Sequence, residues 1–314
     1  MHTGRVSVYM SGEKRVNVPK VVSTRRPQHK PKLGQHFLNS DSFAGQIVDA
    51  LGDASQNTVL EIGPGRGVLT SRLARRARRL IAVELDRVLA AQLRLKFGMF
   101  SNVEVIEADI LSIDFDSLFG PKPGLSRPGI QLNPEPIKVI GNLPYFITSD
   151  ILLRLFEFAK YFETIVILVQ REVADRIAAE PGGRDYGLLS ATTQLYARVE
   201  KLFTLPPSAF APPPKVHSTA LRLTMAPRQH ELGLDGDGLL HDGHAEDGFI
   251  DFLKLSFGQK RKTLWNNLKG TYAESDLRAA LSKARVKPAA RAETLSLEES
   301  AALFLALRDN HNGS

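Results

Sequence analysis

Five short runs rich in β-branched and aliphatic residues, spaced along the chain by helical stretches or a loop, constrain this sequence most. They are Thr58-Val-Leu-Glu-Ile62, Arg79-Leu-Ile-Ala-Val-Glu84, Asn102-Val-Glu-Val-Ile-Glu107, Lys138-Val-Ile140 and Thr164-Ile-Val-Ile-Leu-Val169. Helical patterns follow Gly67 and cover 86–97 and 148–159. Strands alternating with helices predict an α/β fold built on a parallel, doubly wound sheet. Two more β-like runs between Val199 and Met225 flank "LPPSAFAPPPK" and predict an antiparallel hairpin at the sheet's edge. From Phe249 onward apolar residues recur at helical spacing, as in Leu281, Ala284, Leu295, Leu297, Ala301 and Leu305, which predicts a small all-helical C-terminal domain.

The expected organisation is a basic, aperiodic arm over 1–32, a sheet domain over 33–225, an acidic loop over 226–248 and the helical domain over 249–314. Within the sheet domain, 119–136 holds too many Pro and Gly for a regular element and reads as a loop. The chain of 314 residues carries a formal charge of +7, which suggests a polyanionic partner. Eight basic residues and one acid in the arm account for all of it, leaving 33 basic against 33 acidic residues in the remainder. Nucleic-acid binding by the folded part must therefore rest on local patches. With no cysteine there is no thiolate nucleophile, disulfide or cysteine-held metal, and no metal is expected. No apolar run approaches the roughly 20 residues of a membrane helix, and the first residues carry no secretory signal. A cytoplasmic protein with no membrane partner is expected, and nothing demands more than a monomer.

Glu61-Ile-Gly63-Pro-Gly65-Arg-Gly67 follows a strand and opens a helix, a setting in which glycines allow a tight turn and close backbone approach to a ligand. Glu84 ends the next strand, 21 residues after Gly63, where a carboxylate can accept both ribose hydroxyls. Asp109 ends the third, placed to accept from an adenine amino group. The glycine spacing is G-x-G-x-G, not the dinucleotide G-x-G-x-x-G, so the trio points to S-adenosylmethionine (SAM). A fourth strand runs into Ile140-Gly-Asn-Leu-Pro-Tyr-Phe146. Read alone, this motif suggests methylation of an amino group, with DNA, RNA or a glutamine side chain open as acceptor.

Taken in order, Pro31-Lys-Leu-Gly-Gln-His-Phe-Leu38, Glu61-Ile-Gly-Pro-Gly65, Val83-Glu84-Leu-Asp86, Ala108-Asp109, Asn142-Leu-Pro-Tyr145, Gln170-Arg-Glu-Val173 and Phe210-x-Pro-x-Pro-Lys215-Val resemble one family. It is the bacterial small-subunit (16S) ribosomal RNA adenine N6,N6-dimethyltransferases (KsgA), and the resemblance spans roughly 31–310. It implies a Rossmann-like SAM-dependent methyltransferase sheet, and transfer of methyl groups to N6 of two adjacent adenosines near the 3′ end of 16S rRNA. The implied partner is 16S rRNA in the 30S subunit or its precursor. Cofactor contacts carry over to His36, Leu38, Gly63, Gly65, Glu84, Asp109 and Asn142; many relatives have Asn at position 36. The long arm and the loops 119–136 and 226–248 look like additions to the family's plan.

The motif at 142–145 then acquires a chemistry. Asn142 Oδ1 and the Leu143 carbonyl can each accept one N6 hydrogen, Pro144 stiffens the backbone and Tyr145 offers a stacking face. Phe210 is the candidate for the base's opposite face. Two basic groups are candidates for RNA contact: Arg72, Arg75, Arg76 and Arg79 at helical spacing, where a solvated face is an equal alternative, and Lys254, Lys260, Arg261, Lys262 and Lys269. Two other readings remain: a resistance-type enzyme acting on large-subunit rRNA, and a non-enzymatic ribosome-assembly factor.

Overall fold

The computed structural model describes residues 36–120, 135–234 and 248–312. The arm, most of the 119–136 loop and most of the acidic 226–248 stretch therefore lie outside the described residues. The strands are β1 (Phe37–Leu38), β2 (Thr58–Ile62), β3 (Arg79–Glu84), β4 (Val103–Glu107), β5 (Ile137–Asn142), β6 (Phe162–Gln170), β7 (Ala197–Leu205), β8 (Phe210–Ala211) and β9 (Ser218–Met225). The helices of the first half are α1 (Asp41–Asp49), α2 (Thr70–Leu73), α3 (Arg87–Phe97), α4 (Phe115–Phe119) and α5 (Thr148–Glu157). Those of the second half are α6 (Arg171–Ile177), α7 (Leu188–Tyr196), α8 (Phe249–Ser256), α9 (Leu264–Leu268), α10 (Glu274–Lys283) and α11 (Leu297–Asn312).

Seven strands form one sheet in the order β4-β3-β2-β5-β6-β9-β7. The first five are parallel, β9 runs antiparallel to β6, and β7 is antiparallel to β9. This is the Rossmann-like sheet with its antiparallel edge pair. The helix expected after Gly67 is short, because the chain leaves it through turns by Ala74 to re-enter the sheet at Arg79.

Both faces of the sheet are buried, as period-two alternation within an apolar strand requires. Leu60, Ile62, Ile81, Val83, Val139, Ile165 and Ile167 point into one cluster with α5, α7 and the helices from α8 to α11. Val59, Leu80, Ile140, Val166 and Leu168 point into the other, with residues of α1, α2 and α3. Each fully buried aliphatic side chain contributes about 1.5–3 kcal/mol. Because the first cluster runs on through Leu253, Leu281 and Leu307, the C-terminal helices share the sheet's own core.

Chain direction reverses between β2 and β5. From β2 the chain steps outward to β3 and β4, then returns to the other side of β2 at β5. In an open α/β sheet the crevice beyond the strand ends at such a switch is where ligands sit. Gly63 follows the end of β2 and Asn142 ends β5, with Ile62 registered against Gly141.

Candidate active site

Gly63 and Gly65 have φ of 63° and 57°, the left-handed region that a side chain strains to enter. They differ in what surrounds them. A Cβ on Gly65 would come within 2.8 Å of the Phe37 ring, whereas one on Gly63 would meet nothing nearer than Asn142 O at 3.9 Å. Open space over Gly63 lets a ligand approach the bare backbone.

Glu84 holds this loop in place. Its Oε2 accepts from the Gly65 amide at 2.9 Å and its Oε1 from the Asp86 amide at 2.9 Å. A carboxylate oxygen accepts more than one hydrogen, so the buried Glu84 keeps capacity for a ribose diol. Asp86 in turn caps α3 through the amides of Val88 and Leu89. Asp109 Oδ1 accepts from the Leu111 amide at 3.0 Å, and its Oδ2 has no partner among the described residues. An open glycine and two acids with unused acceptor sites can hold the adenosine part of a ligand.

Glu61, one strand position before Ile62, presents the opposite case. It is 1% exposed, and neither of its oxygens reaches a hydrogen-bond partner among the described residues. Burial pushes its carboxyl up to about 8; the nearby Thr70 offsets part of the shift, and Glu84 adds to it.

The second half of the site is built by a contact without any local signature in the chain. Two-residue strands β1 and β8 pair antiparallel, Leu38 against Phe210, and bring residue 36 over the end of β5. The His36 carbonyl accepts from Asn142 Nδ2 at 2.9 Å. Its ring Nδ1 donates to Pro212 O at 2.8 Å and the ring stacks on Tyr145, centroids 5.9 Å apart at 29°. Tyr145 is fixed at its other end by Ser218 Oγ, 2.9 Å from the hydroxyl, and half-burial raises its pKa. With Asn142 Nδ2 committed as a donor, Oδ1 is the acceptor left over, beside a Leu143 carbonyl unpaired among the described residues.

A family model described as ribosomal RNA adenine dimethylase matches residues 26–309. The chain belongs to that family. Its relatives include proteins named ribosomal RNA small subunit methyltransferase A. That of Koribacter versatilis is 54% identical over 93% of this chain and 99% of the relative; that of Acidobacterium capsulatum is 51% identical over 90% and 92%. Among solved structures, the 23S rRNA methyltransferase ErmE is 29% identical with a TM-score of 0.59, covering 87% of this chain and 99% of that one. A Plasmodium falciparum dimethyladenosine transferase, 23% identical with a TM-score of 0.67 over 88% and 98%, shares the fold.

In this SAM-dependent ribosomal RNA adenine dimethylase, the expected residues Gly63, Glu84, Asp109 and Asn142 stand at or just past the C-terminal ends of β2, β3, β4 and β5, Leu143, Pro144 and Tyr145 follow Asn142, and His36 stacks on Tyr145. Leu38 is buried and holds β1 down through its apolar side chain. Phe210, expected to cover the free face of a base, is 3% exposed and joins the apolar cluster that holds Leu38, Leu205 and Ala209, with β1 paired along its strand. Two exposed apolar residues beside these positions were not singled out from the sequence: Leu85, between Glu84 and Asp86, is 58% exposed, and Phe146, next to Tyr145, is 77% exposed. The cue for both was an apolar residue just past a strand, where a polar turn belongs.

The basic groups separate. Arg72 pairs with Asp41 at 2.6 Å, Arg76 with Asp49, and Arg79 with Glu104 at 2.7 Å. In the second group Lys254 pairs with Asp251 and Lys260 donates to Arg184 O, while Arg261, Lys262 and Lys269 are exposed and make no ion pair among the described residues. No cluster of potential metal ligands and no helix long and apolar enough to cross a membrane occurs among the described residues.

Proposed function

We propose that this enzyme transfers methyl groups from SAM to N6 of two adjacent adenosines near the 3′ end of 16S rRNA, acting as a cytoplasmic monomer on the 30S subunit or its precursor. The observation that carries the reading is the orientation of Asn142 at the end of β5, whose amide nitrogen donates to the His36 carbonyl and whose side-chain oxygen is left as an acceptor. The small subunit is favoured over 23S rRNA because the relatives named for it are far more similar to this chain than ErmE is.

An adenine amino group is a poor nucleophile because its lone pair is delocalised into the ring. Asn142 Oδ1 and Leu143 O each accept one N6 hydrogen, which draws the nitrogen toward a pyramidal geometry and aims the lone pair across the crevice. The Pro144 carbonyl accepts from Ile147 N at 3.2 Å and Thr148 Oγ1 at 3.1 Å, so the turn carrying these acceptors is braced. Bound SAM supplies an electrophilic methyl group on a sulfonium leaving group. Glu84 and Asp109 hold its ribose and adenine, and Gly63 leaves room for the rest. After transfer the product ammonium is acidic and loses its proton to water, so no strong base is required.

The target base must leave the RNA stack, and an aromatic face offsets the few kcal/mol of unstacking by about 1–3 kcal/mol. Tyr145 provides it. Since His36 covers one face of Tyr145, the base takes the other. We assign the helices beyond Phe249 to rRNA placement through Arg261, Lys262 and Lys269, and give no role to the arm or to the loops 119–136 and 226–248.

The test is methyl transfer from labelled SAM to unmethylated 30S particles and to 23S rRNA, with the modified adenosines mapped. Asn142→Ala should cut transfer at least a hundredfold while SAM binding persists. Full transfer by Asn142→Ala would sink the mechanism, labelling confined to 23S rRNA the small-subunit assignment, and labelling of neither would leave an assembly factor.

A further inference from the structure

From Ile137 to Thr148 one residue is exposed, and it is Phe146. Its position makes it more than a stray surface aromatic. The adjoining Tyr145 is tied at its hydroxyl and covered on one face, and the turn behind it is braced at Pro144 O. Phe146 belongs to neither apolar cluster and contacts no other ring among the described residues. A rigid turn thus presents to water an unpartnered aromatic face immediately beside the face reserved for the target base.

We propose that Phe146 stacks on the base next to the adenosine held by Tyr145. The inference rests on the proposed function, because it needs an RNA strand entering this crevice. Extruding one nucleotide breaks the stack on both its sides, and the neighbouring base then needs a new apolar surface. Every nucleobase has a π-face, so an exposed phenyl ring serves whichever base stands there. For a substrate with two target adenosines side by side, each is the other's neighbour in successive rounds, and one platform at 146 serves both. The only other exposed apolar residue on the segments adjoining Tyr145 and Ser218 is Val216, set between Lys215 and His217.

The test compares wild type, Phe146→Ala and Phe146→Trp on the rRNA that wild type labels, so that failure of the small-subunit assignment does not mask the result. Phe146→Ala should raise KM for RNA about tenfold, equivalent to about 1.4 kcal/mol, with kcat and SAM binding kept. Phe146→Trp should restore KM. A 2-aminopurine placed beside the target adenosine should be quenched by wild type and not by Phe146→Ala. An unchanged KM in Phe146→Ala would overturn the proposal. So would a raised KM with unaltered quenching, which would assign Phe146 to a ribosomal protein instead of a base.

Discussion

Two basic groups that look alike in the sequence behave differently in the fold. Arg72, Arg76 and Arg79 each find an acid, drawn from α1 or β4, whose residues lie 25 to 31 positions away in the chain. Only Arg75 of that stripe is exposed with no ion pair among the described residues. Arg261, Lys262 and Lys269, by contrast, stand in water around α9 with no acid alongside. A cation already paired must give up its partner before it can take a phosphate, so it gains little by binding RNA. The unpaired cations release counterions at no such cost. Counting charges along a helix therefore finds where cations are, while the sheet and its flanking helices decide which are free.

Charge reversal is the strongest way to break this comparison. Arg261→Glu combined with Lys262→Glu and Lys269→Glu should weaken rRNA binding about tenfold or more, and lower the slope of log affinity against log salt by about 2. Filter binding across a salt series reads both, with methyl transfer to saturating RNA unaffected. If the slope does not change, these residues do not meet phosphate. The opposite arm of the comparison uses Arg72→Ala with Arg76→Ala. RNA affinity should stay within about twofold, and urea denaturation should show a loss near 1 kcal/mol, the scale of exposed ion pairs. A tenfold loss of RNA affinity there would return the stripe to the binding surface.

The fold and the positions expected to hold the donor were legible because both are written locally. Strand alternation gave the sheet, and Gly63, Glu84 and Asp109 sit at strand ends that the β-branched runs themselves mark. What was not legible depends on contacts remote in sequence. The ladder of β1 and β8 joins Leu38 to Phe210 through only two residue pairs, too short to leave a strand pattern. That ladder decides three things at once: Phe210 is covered, the His36 carbonyl reaches Asn142, and its ring lies on Tyr145. Histidine at position 36 could be flagged as unusual, but its partners could not be named. Tyr145 and Phe146 are equally aromatic on paper; tertiary packing buries half of one and leaves the other in water.

Arg228 sharpens the same contrast at the smallest scale. It follows β9 and pairs with Glu231 and with Glu298 of α11, each at 2.6 Å, so a further arginine is committed to holding the fold. The Arg228 guanidinium, with smaller help from backbone amide and Ser296 hydrogen bonds, lowers the Glu298 carboxyl from 4.5 to about 2. A carboxylate held below its unfolded value binds fewer protons in the folded chain, so its contribution is complete above about pH 4.5 and is lost as pH falls toward 2. The Glu298 side chain is 56% exposed, and solvent screening cuts the contribution to about 0.5 kcal/mol. Denaturant midpoints measured at pH 6 and pH 3 should show wild type losing about half of that more than Glu298→Gln, which has no charge to neutralise. Equal losses in the two proteins would mean that Glu298 adds nothing to what Glu231 already gives Arg228.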